Sequence, residues 1–232
     1  MSELNYKFFI YIGFKKFIFS ALDENDKDFF SKEINLDDNS FKENLVSLNK
    51  FLSSNIILFE KKYHFHVKDI NLIIDYNEFI ILDISTTNNF NNVPNLISDN
   101  SNYLFNIKDY INKHMSDYNL IHMIISKFIV NGNKYLTLPN NIDNKKVFLE
   151  IKFILLSNKI LEDLKKVFSN YEILVRNTLY YNYVVNFKNL ETNNIFVVAS
   201  RLLKGVNKKE IFYTKRPPKN LSFFEKFFKF FN

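Results

Sequence analysis

Leu120-Ile121-His122-Met123-Ile124-Ile125-Ser126-Lys127-Phe128-Ile129-Val130-Asn131-Gly132-Asn133-Lys134-Tyr135 is the stretch that decides the fold. From Leu120 to Val130 it is apolar and β-branched enough to be a strand. Asn131-Gly132-Asn133 reads as a turn, because Asn and Gly tolerate the left-handed backbone that a tight reversal needs. Tyr135 to Leu138 then returns. Val147 to Leu156 gives another strand. With Asn158 read as a cap, Ile160, Leu161, Leu164, Val167 and Phe168 share one helical face. This half of the chain is therefore a sheet with a helix packed on it.

Toward the N-terminus, residues 6–12 and 15–22 are apolar and aromatic around Gly13 and read as a β-hairpin, with a shorter strand near 29–36. Ser40 and Glu43 have capping-box spacing. Phe41, Leu45, Leu48, Leu52, Ile56 and Phe59 follow at helical intervals, so the pattern predicts a helix over 40–60. Val67, Ile70, Leu72 and Ile74 begin a strand, and Phe79 to Ile84 a second one. The Asn-, Ser- and Thr-rich stretch 86–100, with Pro94, reads as a loop. A helix is predicted over 102–116. Beyond residue 170, a short strand at 171–176 precedes helical stretches near 177–187 and 194–204. The fold class is α+β, without an internal repeat.

Composition narrows the chemistry. At 232 residues, with 47% hydrophobic and 24% charged side chains, the chain can bury a substantial core. It has no cysteine, which excludes disulfides, thiolate metal sites and cysteine nucleophiles and fits a reducing cytoplasm. No run approaches the roughly 18 apolar residues of a membrane-spanning helix, and Met1-Ser2-Glu3-Leu4-Asn5 does not open a signal peptide. The three glycines, Gly13, Gly132 and Gly205, are far apart, whereas a loop that cradles phosphate needs several together. No cofactor is expected on that basis.

Charge is unevenly placed. The chain carries +6 overall, and residues 201–232 hold nine basic against two acidic side chains, which leaves the preceding part slightly negative. Pro217 and Pro218 interrupt the chain ahead of Lys219. In 221–231, read at helical spacing, Leu221, Phe223, Phe224, Phe227, Phe228, Phe230 and Phe231 fall on one side. Ser222, Glu225, Lys226 and Lys229 fall on the other. Core packing is the ordinary use of such a face. Six phenylalanines beside lysines after a proline break suit a helix lying in lipid headgroups better. The expected membrane-binding residues are these seven apolar side chains with Lys219, Lys226 and Lys229. Nucleic acid could attract the same lysines, but base-stacking rings are normally spread along a groove rather than crowded on one stripe.

Other candidate chemistry is weaker. His64 and His66 flank Phe65 and would share one side of a strand, yet no nearby acid–histidine set completes a metal site, and His114 and His122 are distant in sequence. Leu82-Asp83-Ile84-Ser85-Thr86-Thr87 has the outline of a phosphate loop without its glycines, and is expected to be a strand ending in a turn. Asp75 and Glu78 do not define a catalytic dyad. No nucleophile, histidine and acid share a local signature, so no catalytic residue and no metal ligand are assigned and the protein is not expected to be an enzyme.

The order of segments resembles the bacterial cell-division family FtsA, the actin-like anchor of the FtsZ ring. Residues 6–22 resemble the first strands of actin-like subdomain 1A, with Tyr11-Ile12-Gly13-Phe14 standing at the phosphate loop. Residues 68–85 and 119–176 look like the SHS2-type subdomain 1C, and residues 194–205 resemble a late helix of the family. The stretch 221–231 matches the family's membrane-targeting helix in position and character. PilM-type pilus proteins share the SHS2 module but not that helix. Tyr11 replaces the phosphate-loop aspartate, Phe14 replaces its hydroxyl residue, and the segments for subdomains 2A and 2B are missing. ATP binding is accordingly not expected.

The resemblance implies four parts. These are a 1A-type hairpin and helix over 1–66, an SHS2-like subdomain over 67–176, helices returning to the first part over 177–214, and a basic linker with an amphipathic helix over 215–232. It implies a non-enzymatic adaptor, peripheral on the cytoplasmic side of the inner membrane. Its partners would be an anionic membrane surface and a divisome protein, FtsZ if the missing 2B surface is dispensable. Self-association through the 1C-like region, chiefly 120–176, is also implied, and nucleic acid is not an expected partner. Two alternatives stay open: a degenerate actin-like ATPase completed by a partner, and a basic nucleic-acid-binding module.

Overall fold

The computed structural model describes residues 6–37, 41–89, 101–137, 139, 146–188 and 192–211. Its strands are β1 (Lys7–Gly13), β2 (Lys16–Leu22), β3 (Asp28–Asn35), β4 (Asp69–Asp75), β5 (Phe79–Asn89), β6 (Tyr118–Val130), β7 (Asn133–Tyr135), β8 (Lys146–Ser157) and β9 (Leu174–Tyr180). The helices are α1 (Phe41–Tyr63), α2 (Ser101–His114), α3 (Asn158–Ser169), α4 (Tyr181–Val185) and α5 (Ile195–Leu203). They form two sheets. One runs β3-β2-β1-β4-β9, the other β5-β8-β6-β7.

In the first sheet β1, β2 and β3 form an antiparallel meander, while β4 lies parallel to β1 and β9 parallel to β4. The sequence of β1, Lys-Phe-Phe-Ile-Tyr-Ile-Gly, does not alternate because both of its faces are covered. Phe8, Ile10 and Ile12 join Leu48, Leu52, Ile56 and Phe59 of α1, together with Leu161, Leu164 and Phe168 of α3. Phe9 and Tyr11 face the other way, toward Tyr183 and Val184 of α4 and Phe196, Ala199 and Leu202 of α5. Each fully buried ring, such as Phe9, Phe17, Phe19 and Phe59, contributes on the order of 1.5–3 kcal/mol.

The second sheet is antiparallel throughout. Val147, Leu149, Ile151, Phe153 and Leu155 point alternately from β8 toward Leu104 and Ile111 of α2. The other face of β8 carries Glu150 and Lys152. Asn131 and Gly132 have φ of 52° and 80° and close the β6–β7 reversal between the paired residues Val130 and Asn133. That is the two-residue turn expected of Asn-Gly.

The sheets divide the chain differently from the expected boundaries at 66/67 and 176/177. Residues 69–75 and 174–180, placed by sequence with or beyond the SHS2-like part, are the fourth and fifth strands of the first sheet. The run Ile70–Ile74 is buried on both faces, a burial that only a central parallel strand gives it. Three local expectations also change. Residues 177–180 extend β9, so the helix predicted near 177–187 shrinks to α4. β5 continues to Asn89 instead of turning at 86, paired with β8 down to Lys146. Asn158 is the first residue of α3 rather than its cap, and its side chain donates to the Ser116 carbonyl while accepting from Asn119. Ser40 of the predicted capping box and most of the loop 86–100 lie outside the described residues.

One polar cluster ties the first sheet to α5. Asp26, in the β2–β3 turn at φ 62°, accepts from Lys7 Nζ at 2.6 Å, Ser200 Oγ at 2.5 Å and Lys204 Nζ at 2.6 Å. Burial alone would raise its carboxyl pKa, but these hydrogen bonds outweigh burial and lower it to about 2. A carboxylate with a lowered folded-state pKa contributes stability that is present above the unfolded value and is lost as pH falls toward about 2. Asp26→Asn should therefore cost roughly 1–3 kcal/mol in urea unfolding at neutral pH. The gap between variant and parent should close near pH 2, and a gap unchanged across that range would contradict the cluster's role.

Candidate functional site

The described chain leaves α5 through Gly205, at φ 80°, and returns to the second sheet. The Ile125 N–H donates to the Lys209 carbonyl at 2.9 Å, and the Ile211 N–H to the Met123 carbonyl at 2.9 Å. Glu210 thus lies antiparallel beside Ile124, on the flank of β6 that β7 leaves free. This is the base from which the basic segment departs.

A buried polar group fixes that base. His122 and Glu210 have side chains 2% and 3% exposed, and His122 Nδ1 lies 2.6 Å from Glu210 Oε1. The Tyr180 N–H donates to His122 Nε2 at 3.1 Å, so Nε2 is the acceptor and the proton belongs on Nδ1. Tyr183 donates to Glu210 Oε2 at 2.5 Å, and Asn207 Nδ2 donates to the Tyr183 hydroxyl at 2.8 Å. Burial, and then the bond to Glu210, push the Tyr183 phenol well above its ordinary pKa, so it stays a donor. Local structure explains how His122 comes to be there. A bulge between Leu120 and His122 leaves Ile121 without a register partner on β8, and such a bulge re-aims the next side chain. Both imidazole nitrogens are engaged by protein groups. The group works as a latch joining β6, β9, α4 and the base of the tail.

A second cluster marks the carboxyl ends of β1 and β4, the place where open sheets with parallel strands bind ligands. Here Tyr11 donates to Asp75 Oδ2 at 2.6 Å and packs edge-on to Tyr181, with ring centroids 5.2 Å apart. Burial first, and then the bond to Asp75, raise the Tyr11 pKa. A Cβ placed on Gly13 would meet Tyr11 Oη at 2.6 Å, so the phenol occupies the space over that glycine. Burial raises the Tyr76 phenol to about 12, and its hydroxyl donates to the Gly13 carbonyl at 3.4 Å. Elsewhere, a cleft of about 690 Å³ lies between the starts of α1, β5 and α3, with Lys42, Lys159, Glu78 and Asp163 at its walls.

The residues expected to bind membrane, Lys219, Leu221, Phe223, Phe224, Lys226, Phe227, Phe228, Lys229, Phe230 and Phe231, lie outside the described residues. His64 sits at φ 53° beyond α1, and His66 Nδ1 lies 2.7 Å from Glu60 Oε1. Neither is in a strand, since β4 starts only at Asp69. Asp75 serves Tyr11, and Glu78 stands in the β4–β5 turn. Among the described residues no group of three or more His, Asp or Glu could hold a metal, and no helix is long and apolar enough to cross a membrane. The latch was missed by sequence reading. Its only local sign is that Glu210 is one of two acids in a basic segment.

No protein-family model matches the chain, and no curated protein matches it. Among solved structures it is similar to the PilM–PilN type IV pilus biogenesis complex, at TM-score 0.44 and 9% identity, covering 77% of this chain and 48% of that one. It is also similar to a Bacteroides thetaiotaomicron protein with an actin-like ATPase fold and unknown function, at TM-score 0.33 and 13% identity, covering 78% and 55%. A third likeness is to Marinitoga piezophila Argonaute in complex with a guide RNA, at TM-score 0.28 and 16% identity, covering 84% and 31%. The chain spans about half the length of the first two. The α+β class itself rests on the two sheets and the helices that cover them.

Removing the latch acceptor by Glu210→Ala leaves two buried donors unsatisfied and should cost about 2–4 kcal/mol. Tyr183→Phe removes one donor and should cost about 1–2 kcal/mol. Urea midpoints test this order, and a Glu210→Ala midpoint equal to the parent's would show that the latch holds nothing.

Proposed function

We propose that this protein is a non-enzymatic adaptor that docks on the cytoplasmic face of the inner membrane and helps organise cell-division components there. The observation that carries the reading is the segregation within 221–231: seven apolar side chains on one side, and Ser222, Glu225, Lys226 and Lys229 on the other. Partial burial of those rings in the headgroup region would contribute up to about 1.5–3 kcal/mol each, and each nearby Lys about 1 kcal/mol on an anionic leaflet. Several such contributions exceed the cost of ordering one short helix. The latch supports the reading from the other end, since a tail pulled by a membrane needs a fixed root.

The FtsA-like assignment draws on the order of segments and the tail. The adaptor role, as opposed to an ATPase role, draws on Tyr11 filling the space over Gly13. Its protein partner would be a divisome component, and association of several copies would strengthen weak anchoring by avidity. Co-sedimentation of the full chain with vesicles containing an anionic phospholipid tests the anchor. Binding is expected for the parent chain and should be lost in Phe227→Glu and Phe228→Glu, with the circular dichroism of the body unchanged. Persistent binding in both variants would defeat the proposal.

A further inference from the structure

The second sheet ends on one side in β5, and that edge differs from the other edges of the molecule. Exposed edge strands invite pairing with another chain, and proteins usually guard them with charges, proline, short length or a covering group. β3 carries Asp28, Lys32 and Glu33 in eight residues. β7 is only three residues long and includes Lys134. The edge of β9 is blocked where the Tyr180 N–H is taken by His122. β5, Phe-Ile-Ile-Leu-Asp-Ile-Ser-Thr-Thr-Asn-Asn, runs for eleven residues with a single charge, Asp83, and no Lys or Pro. Ile81, Asp83, Ser85 and Thr87 are exposed on its outer face. Among the described residues, the one hydrogen bond that reaches its main chain from outside the β8 ladder comes from Tyr103 Oη, to the Thr87 carbonyl at 3.1 Å. That carbonyl keeps a second lone pair.

We infer that β5 is a self-recognition edge: two copies of this chain pair their β5 strands antiparallel about a two-fold axis at Ile84, making one continuous eight-stranded sheet. The register follows from two independent features that agree. Ile84 is the midpoint of Phe79–Asn89, so this centre overlaps the strands along their whole length. It also places Asp83 opposite Ser85 of the second copy, and Ile81 opposite Thr87. A centre at Asp83 would oppose two carboxylates, which is destabilising. A two-fold axis between the two β5 strands makes the contact self-complementary and closed, so pairing stops at two copies. The inference stands apart from the lipid reading, because it concerns only the body of the protein.

The absence of cysteine makes the register directly testable. In full-length protein without lipid, Asp83→Cys with Ser85→Cys places the two thiols opposite each other across the axis, and oxidation with diamide should trap most of the protein as a covalent dimer. Ile81→Cys with Ser85→Cys is out of register and should lose that product. Sedimentation of the parent chain should show a concentration-dependent dimer. Ile81→Lys with Thr87→Lys, confirmed as folded by its thermal melt, should sediment as a monomer. A parent chain that stays monomeric, a dimer that survives the lysine pair, or equal trapping in both cysteine pairs would each overturn the inference.

Discussion

Because β1 and β4 lie side by side in parallel with both faces covered, everything else in the molecule is arranged around them. A parallel pair cannot be closed by a tight turn, so the chain must make a long excursion between the two strands, and β2, β3 and α1 make it up. Leaving β4, it makes a second and longer excursion before returning as β9, and the whole second sheet is built inside it. The register from Asp69 to Leu174 and from Ile74 to Tyr180 fixes where that second sheet begins and ends. Its position relative to the first is then secured by His122 reaching the Tyr180 N–H.

The polar groups buried in this framework connect distant parts of the chain. Asp26 gathers two lysines and a serine from two parts of the chain, β1 and the end of α5, and Glu210 gathers a histidine and a tyrosine from two more. In each case a carboxylate is kept in a partly or fully dry place by several donors, which is the condition under which a buried charge can be tolerated. Breaking such a group costs more than a hydrophobic trim of the same size, because the remaining donors are left without partners. The two clusters hold opposite ends of one path, α5 and the strand-like base that follows it.

Much of this was legible in the sequence where the signal is local. The apolar faces of α1 and α3, the Asn131-Gly132 reversal and the long runs of β6 and β8 follow from spacing of 2 or 3.6 and from turn chemistry. The membership of β4 and β9 was not legible. Strands buried on both faces lose their alternation, and the partner of Ile70 is Val175, more than a hundred positions away. The latch is hidden for the same reason, with 88 positions between His122 and Glu210. A register irregularity in β6 is also needed to aim the histidine, and a bulge has no composition of its own. Tyr11 and Gly13 are two positions apart in sequence, yet only the folded chain shows the ring over Gly13.

Charge and shape together constrain how a tail and a body could cooperate. The body is nearly neutral while the segment after residue 200 is strongly basic, so attraction toward an anionic surface would act on the tail alone. At physiological ionic strength such attraction fades over roughly 8 Å, which puts the body beyond its reach unless the tail has already touched. On the membrane proposal, a single tail of this kind would give a weak and salt-sensitive hold. Two tails carried by one rigid body would bind more tightly than the sum of their separate affinities, provided both can reach the same plane. An edge-to-edge pair of bodies supplies that rigidity through main-chain bonds, without adding charge. On the two proposals, the β5 edge with its single charge would set how many anchors act together, and the basic tail would set what they hold.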